Sequence, residues 1–375
     1  MRATARALAV LACAAGCVAC APLARLPYRP DQPPTVSLPA VRVGVGDARA
    51  AFAALFEDEL REDGRQAGEG AARWLHGVDA ANALPAAEAS RLRASFAARA
   101  SATAVLIVPG LFGDCVSAQS VPFGDGELRT PERSVVEAYR QYDDLGLRSV
   151  RMVPLPGRAS SASNGRLLAD AILTEAGRPG VARIVVIAYS KGLPDLLHAM
   201  DLLQADGGLP RSLDAVVSVA GAVMGTPLAD FYESVYDVVS PLVSPLDCTA
   251  QRPGDLASLT RRERIAWLTA HPLAAGPSYY SVVAHAPLDE LAPPLRWAAR
   301  QLAAVDPRND GQILAADAVL PGSTLLAEAR ADHWDVALPR DRHPDALWRS
   351  LTSGRSYPRE ALFRALLKWV VGGRP

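Results

Sequence analysis

The chain has 375 residues, half of them hydrophobic and 21% charged, so a sizeable core can form and global disorder is excluded. The formal charge is −1, which leaves no basic stripe to neutralise a phosphate backbone, so nucleic acid is not an expected partner. Length alone suggests about two domains, although α/β folds often run past 250 residues as one. Arg dominates the basic residues, with Lys only at 191 and 368.

Residues 1–20 read as an export segment. Arg2 and Arg6 form a basic start, and Ala7 to Ala15 form an apolar stretch too short to span a bilayer as a helix. Ala14-Ala15-Gly16-Cys17 resembles the small-residue box before a lipidated cysteine, with Ala14 in place of the usual leucine. The resemblance implies lipid attachment at Cys17, with Cys20 as the alternative, and a cell-envelope location. The prolines of residues 21–40 (Pro22, Pro27, Pro30, Pro33, Pro34, Pro39) make a stiff tether between anchor and folded body. Export would place Cys115 and Cys248 in an oxidising compartment, where they either form a bridge or stay buried and unpaired. No CxxC or Cys/His cluster suggests a structural metal.

The folded body begins with a helical lead-in, residues 41–100, where Phe52, Leu55, Phe56 and Leu60 recur at helical spacing. Apolar runs of the buried parallel-strand type follow at Thr103–Val108, Ser149–Val153, Arg183–Ala188, Ala215–Ala220, Tyr279–Ala284 and Thr324–Ala327. Helical stretches at Pro131–Leu145, Asn164–Glu175, Pro194–Gln204 and Pro358–Val371 lie between or after them. That alternation predicts an α/β fold, a mostly parallel sheet with helices on both faces. Residues 226–275 are too long for a bare loop and read as an inserted helical cap. Phe231, Val235, Val238 and Leu242 would share one face of it, suited either to an acyl chain or to packing on the body.

Ile184 to Ala188 runs straight into Tyr189-Ser190-Lys191-Gly192, and a helix starts just after. This is the strand–turn–helix context of a nucleophile elbow, with Ala188 at the position usually held by glycine. The side chain of Lys191 is expected at the pocket rim or in solvent, because neighbouring side chains diverge. A serine needs a base. His333 fits, in the loop after the last strand, with His343 as fallback. The acid belongs on the preceding loop, where Asp310 in Asn309-Asp310-Gly311 fits and Asp306 is next.

From about residue 103 to 371 the chain resembles the α/β-hydrolases, and bacterial lipases and esterases most closely. Val108-Pro109-Gly110-Leu111-Phe112-Gly113 is similar to the His-Gly-Leu-x-Gly loop of lipases, with Pro109 in place of His. That likeness implies an oxyanion hole made by the N–H groups of Leu111 and Lys191. Residues 223–230 resemble the stretch leading into a lipase lid. Asp332-His333-Trp334-Asp335 resembles the Asp-His-x-Asp of calcium-binding lipases, but one carboxylate is too little for a cation wanting six or more oxygens, so neither metal nor cofactor is expected. The resemblance implies a serine hydrolase of carboxylic esters acting through Ser190, His333 and Asp310 on a small ester or lipid. Its rivals are a hydrolase of polyester, thioester or amide, and a non-catalytic binding scaffold on the same fold.

Overall fold

The structure, a computed structural model, describes residues 35–38, 41–63, 70–78, 84–111, 143–231, 256–338 and 352–373. Seven strands make one sheet: β3 (Gly46–Asp47), β4 (Thr103–Val108), β5 (Ser149–Met152), β6 (Arg183–Tyr189), β7 (Leu213–Val219), β8 (Ser278–Ala284) and β9 (Thr324–Ala329). Their order is β3-β9-β8-β7-β6-β4-β5, and every neighbouring pair is parallel. A separate antiparallel pair, β1 (Thr35–Leu38) and β2 (Val41–Gly44), stands ahead of it, so the segment read as a bare tether ends in a strand.

The central strands are apolar on both sides because both faces of the sheet are covered. On one face Val105, Ile107, Val185, Ile187 and Val217 meet α1 (Arg49–Glu62), α2 (Ala86–Ala100) and α7 (Arg359–Gly372). Their neighbours Leu106, Val108, Ile184, Val186 and Val216 point the other way, toward α3 (Ser161–Ala176) and α4 (Gly192–Ala205). Thus the lead-in is part of the main core. Phe52 of α1 stands edge-on to Trp369 of α7, with ring centroids 6.2 Å apart. An ionic cluster beside them ties the same helices, with Lys368 2.5 Å from Glu59 and 3.3 Å from Glu62.

The strands expected from the apolar runs are all present, shifted by a residue or two at their ends. β9 continues past Ala327 through Glu328, whose buried carboxylate is paired with Arg49 and His285. A charged residue ended the apolar run but not the strand, because its partners lie in the fold and not in its neighbours. α3 starts at Ser161, three residues before the predicted helix, where the Ser160 hydroxyl accepts the Ser163 N–H at 3.2 Å. Two further helices, α5 (Arg261–Ala270) and α6 (Arg296–Ala303), lie on the returning chain. α5 falls in the stretch read as a cap, and α6 was not anticipated. Of the predicted Pro131–Leu145 helix only residues 143–145 are described, and they form a 3₁₀ turn.

Candidate active site

β6 delivers Ser190 at the carboxyl end of the sheet, between β4 and β7. Its φ of +54° lies in the left-handed region, which a non-glycine residue adopts only where the surroundings enforce it. The enforcing bonds are local. The Ser190 N–H donates to the Val219 carbonyl at 3.2 Å, and the Ser190 carbonyl accepts from Leu193 and Ala222 at 3.2 and 3.0 Å. The β4 loop is pressed against this turn. A Cβ on Gly192 would sit 2.5 Å from the Pro109 carbonyl oxygen, and one on Gly110 would sit 2.9 Å from the Ser190 Cβ. Glycine is therefore required at both positions. Ala188 pairs with Val108 and Ser218 within the sheet and is fully buried, so the strand accepts a methyl where glycine is usual.

The Ser190 hydroxyl lies 2.9 Å from His333 Nε2, and His333 Nδ1 lies 2.6 Å from Asp310 Oδ2. Asp310 is held by its own loop. Its Oδ1 accepts the N–H groups of Gln312 and Ile313 at 2.8 and 2.7 Å, which leaves Oδ2 for the imidazole. The loop turns at Gly311, with φ of +90°, where a Cβ would strike Leu295 at 2.7 Å. With the carboxylate on Nδ1–H, Nε2 is left as acceptor for the serine proton. All three side chains are buried, Ser190 being the most accessible at 8%.

Two supports were not anticipated. The Tyr189 hydroxyl donates to the His333 carbonyl at 2.7 Å. Asp332, almost wholly buried, accepts N–H groups from Ala292, Trp334 and Asp335 at 2.8, 2.9 and 2.8 Å, and so brackets His333. Burial pushes its carboxyl above the ordinary range, with the charge of Asp310 adding to that and the three N–H groups opposing it. The adjacency of Asp332 and His333 was visible in the sequence; its bond to Ala292, forty residues away, was not.

One expectation is corrected. The Lys191 side chain does not reach rim or solvent; it is 1% exposed, and its ammonium lies 2.8 Å from both oxygens of Asp195. The turn at Ser190 directs residue 191 along the first turn of α4, where the carboxylate four residues on meets it. Asp306 pairs with Arg308 and makes no bond to His333 among the described residues. His76 and His285 stack on each other with centroids 3.9 Å apart, and Trp267 packs between His198 and His271. The described residues contain no cluster of three or more His, Cys, Asp or Glu fit for a metal, and Asp335 binds the Ser353 hydroxyl. Leu111 closes the described part of the β4 loop, while Phe112 and Gly113 lie outside it. Also outside are His343, Cys17, Cys20, Cys115, Cys248 and the cap positions Val235, Val238 and Leu242.

The described ends of residues 226–275, the stretch read as a cap, are fastened beside the Asp310 loop. The Thr226 hydroxyl donates to the Gln312 carbonyl at 2.6 Å. The Arg261 N–H donates to Asp230 at 3.1 Å, and its guanidinium is paired with the buried Asp317. Burial, with help from Asp230 and Asp306, outweighs that guanidinium and pushes the Asp317 carboxyl up to about 7.

No protein-family model and no curated protein matches the chain. Among solved structures it is similar to a metagenomic carboxyl esterase, with a TM-score of 0.70 and 29% identity over 92% of this chain and 96% of that one. A lipase from Bacillus licheniformis in its mature form aligns with a TM-score of 0.48 and 19% identity over 70% of this chain and 91% of that one. Lipase 1 from Pelosinus fermentans gives 0.47 and 12%, over 71% and 98%. A parallel sheet in this order, and a likeness that runs through nearly the whole of both chains, give this protein the α/β-hydrolase fold.

Proposed function

We propose that the protein is a serine hydrolase of carboxylic esters, with Ser190 as nucleophile, His333 as base and then acid, and Asp310 as the group that orients the imidazole. The observation that carries this reading is the unbroken hydrogen-bond chain from Ser190 Oγ through both ring nitrogens of His333 to Asp310 Oδ2. The similar metagenomic protein, itself a carboxyl esterase, supports the choice of substrate class.

In this reading Ser190 Oγ attacks the ester carbonyl carbon while its proton passes to His333 Nε2. The carbonyl π electrons move onto oxygen, and the N–H groups of Leu111 and Lys191 receive that oxyanion. Asp310 keeps its negative charge and stabilises the imidazolium. Collapse of the intermediate breaks the acyl C–O bond, and His333 gives its proton to the departing alcohol. Water then repeats the sequence on the acyl-enzyme, releasing the acid and restoring Ser190. An ester or lipid held by the cap is the substrate that suits this arrangement.

A fluorophosphonate probe should label the wild type at Ser190. The Ser190→Ala variant should fold, escape labelling and lose ester turnover by about 10⁴-fold or more. Turnover retained in that variant would remove Ser190 from the role.

A further inference from the structure

All but two of the 39 basic residues are arginine, and both lysines are buried against buried carboxylates. Lys368 joins α1 to α7, far along the chain from the site. Lys191 follows the serine directly, and its pairing calls for a separate account. A buried ion pair is a weak source of stability, because desolvation of the two charges offsets most of their attraction. What such a pair does well is fix a geometry.

We propose that the Lys191–Asp195 pair is a positioning device for the oxyanion-binding peptide, coupling the serine turn to three other segments of the site. The inference rests on the hydrolase reading above. Lys191 caps α4 with φ −57° and ψ −26°, so the peptide N–H assigned to the oxyanion belongs to the residue whose side chain is clamped. Its ammonium spans both oxygens of Asp195 at 2.8 Å, which pins residue 191 to the first turn of the helix. Asp195 is in turn fixed from α3. Asn164 Nδ2 donates to its Oδ2 at 2.7 Å and to the Pro156 carbonyl, on the loop after β5, at 3.0 Å. Little slack remains between those helices, since a Cβ on Gly165 would lie 2.9 Å from the His198 Cβ.

The third connection comes from α5. Arg264 is fully buried, and its Nε donates to the Val223 carbonyl at 3.2 Å. Val223 follows Ala222, whose N–H holds the Ser190 carbonyl at 3.0 Å. Asp195 also acts on Arg264 through space, countering the burial that brings its guanidinium down to about 10. A shift of residue 191 would therefore be resisted through α3, the β5 loop and α5 together. An oxyanion donor has to hold its place within a fraction of an ångström. The side chains of Lys191 and Asp195 thus act through the peptide and touch no substrate themselves.

The test compares Lys191→Met, Asp195→Asn and the double variant Lys191→Met/Asp195→Leu with Glu59→Gln, which perturbs the remote buried pair. Active sites are counted with the fluorophosphonate probe. The readouts are kcat and KM per labelled site for p-nitrophenyl butyrate, inhibition by an aliphatic trifluoromethyl ketone, and melting temperature. Each single variant at the pair should lose about 10²-fold in kcat with KM within about two-fold, and ketone affinity should fall in step. The double variant, with neither charge of the pair left without the other, should recover part of the melting temperature lost in Lys191→Met but neither kcat nor ketone affinity. Glu59→Gln should lower the melting temperature and leave kcat unchanged. Wild-type kcat per labelled site in the single variants, or full recovery of kcat in the double, would overturn the proposal. Should Lys191→Met fail to fold, Asp195→Asn decides by the same readouts. Turnover that survives Ser190→Ala defeats the hydrolase reading instead, whatever the pair variants do.

Discussion

Each polar atom of His333 has a partner in the fold. Its N–H donates to the Asp310 carbonyl, its carbonyl accepts the Tyr189 hydroxyl, and its two ring nitrogens face Asp310 and Ser190. Asp332 fixes the peptides on the far side, so Asp332→Asn should misplace the imidazole without touching it. An amide keeps one acceptor oxygen but turns a donor toward the N–H of Ala292 or of Trp334 and Asp335. We expect kcat to fall about 10²-fold while the probe still labels Ser190 slowly, measured as rates per active site. A rate equal to the wild type would show that the loop holds itself. At this scale the sequence was legible in the meeting of Ser190, Asp310 and His333, because the expected chemistry dictates residue type and order. It was opaque where a side chain's direction depends on a turn, as at Lys191, or where its partner is remote, as for Asp332 and Ala292.

Among the elements, the apolar runs of β4, β6, β7 and β8 were plain because strands covered on both faces leave no polar alternation to misread. α6 was missed because it is short and buries Ala299 and Leu302 alone, beside the polar Arg296, Arg300 and Gln301. The elements around α5 carry a pH dependence of their own. Asp317 holds its proton to about 7 in the fold against an ordinary 3.8, so stability from this group falls as pH rises across that interval. His198, beneath Trp267, is lowered from 6.5 to about 4, chiefly by burial, so its contribution is lost as pH falls across that interval. The two slopes oppose each other, each at most about 1.4 kcal/mol per pH unit. Urea unfolding at several pH values between 4.5 and 6.5 should therefore give slopes that differ between the variants in opposite senses. Relative to the wild type, Asp317→Asn should make stability rise more steeply with pH over this range, and His198→Gln should make it fall. Curves parallel to the wild type in both variants would refute the assignment.

At the scale of the whole molecule, the sheet places the serine, histidine and acid loops at the carboxyl ends of β6, β9 and β8, which is why three stretches spread over 143 residues converge. How the chain is held in the cell is a separate question. No helix among the described residues is long and apolar enough to cross a membrane. If Cys17 carries the anchor, intact mass of membrane-extracted protein should match a diacylated chain starting there, and Cys17→Ser should shift the protein to the soluble fraction. An unmodified N-terminus would refute the anchor.

The short strand β3 lies against β9, and α1 packs on β9 and α7, so the first elements of the sheet and its helical cover take their main contacts from the last. A ribosome has to finish nearly the entire polypeptide before those partners exist. Until then the aromatic face of α1, with Phe52 and Phe56, lacks its partners on β9 and α7, and this side of the core stays incomplete. If residues 1–20 direct the chain to export, late closure of this kind would keep it transportable and leave its maturation to the far side of the membrane.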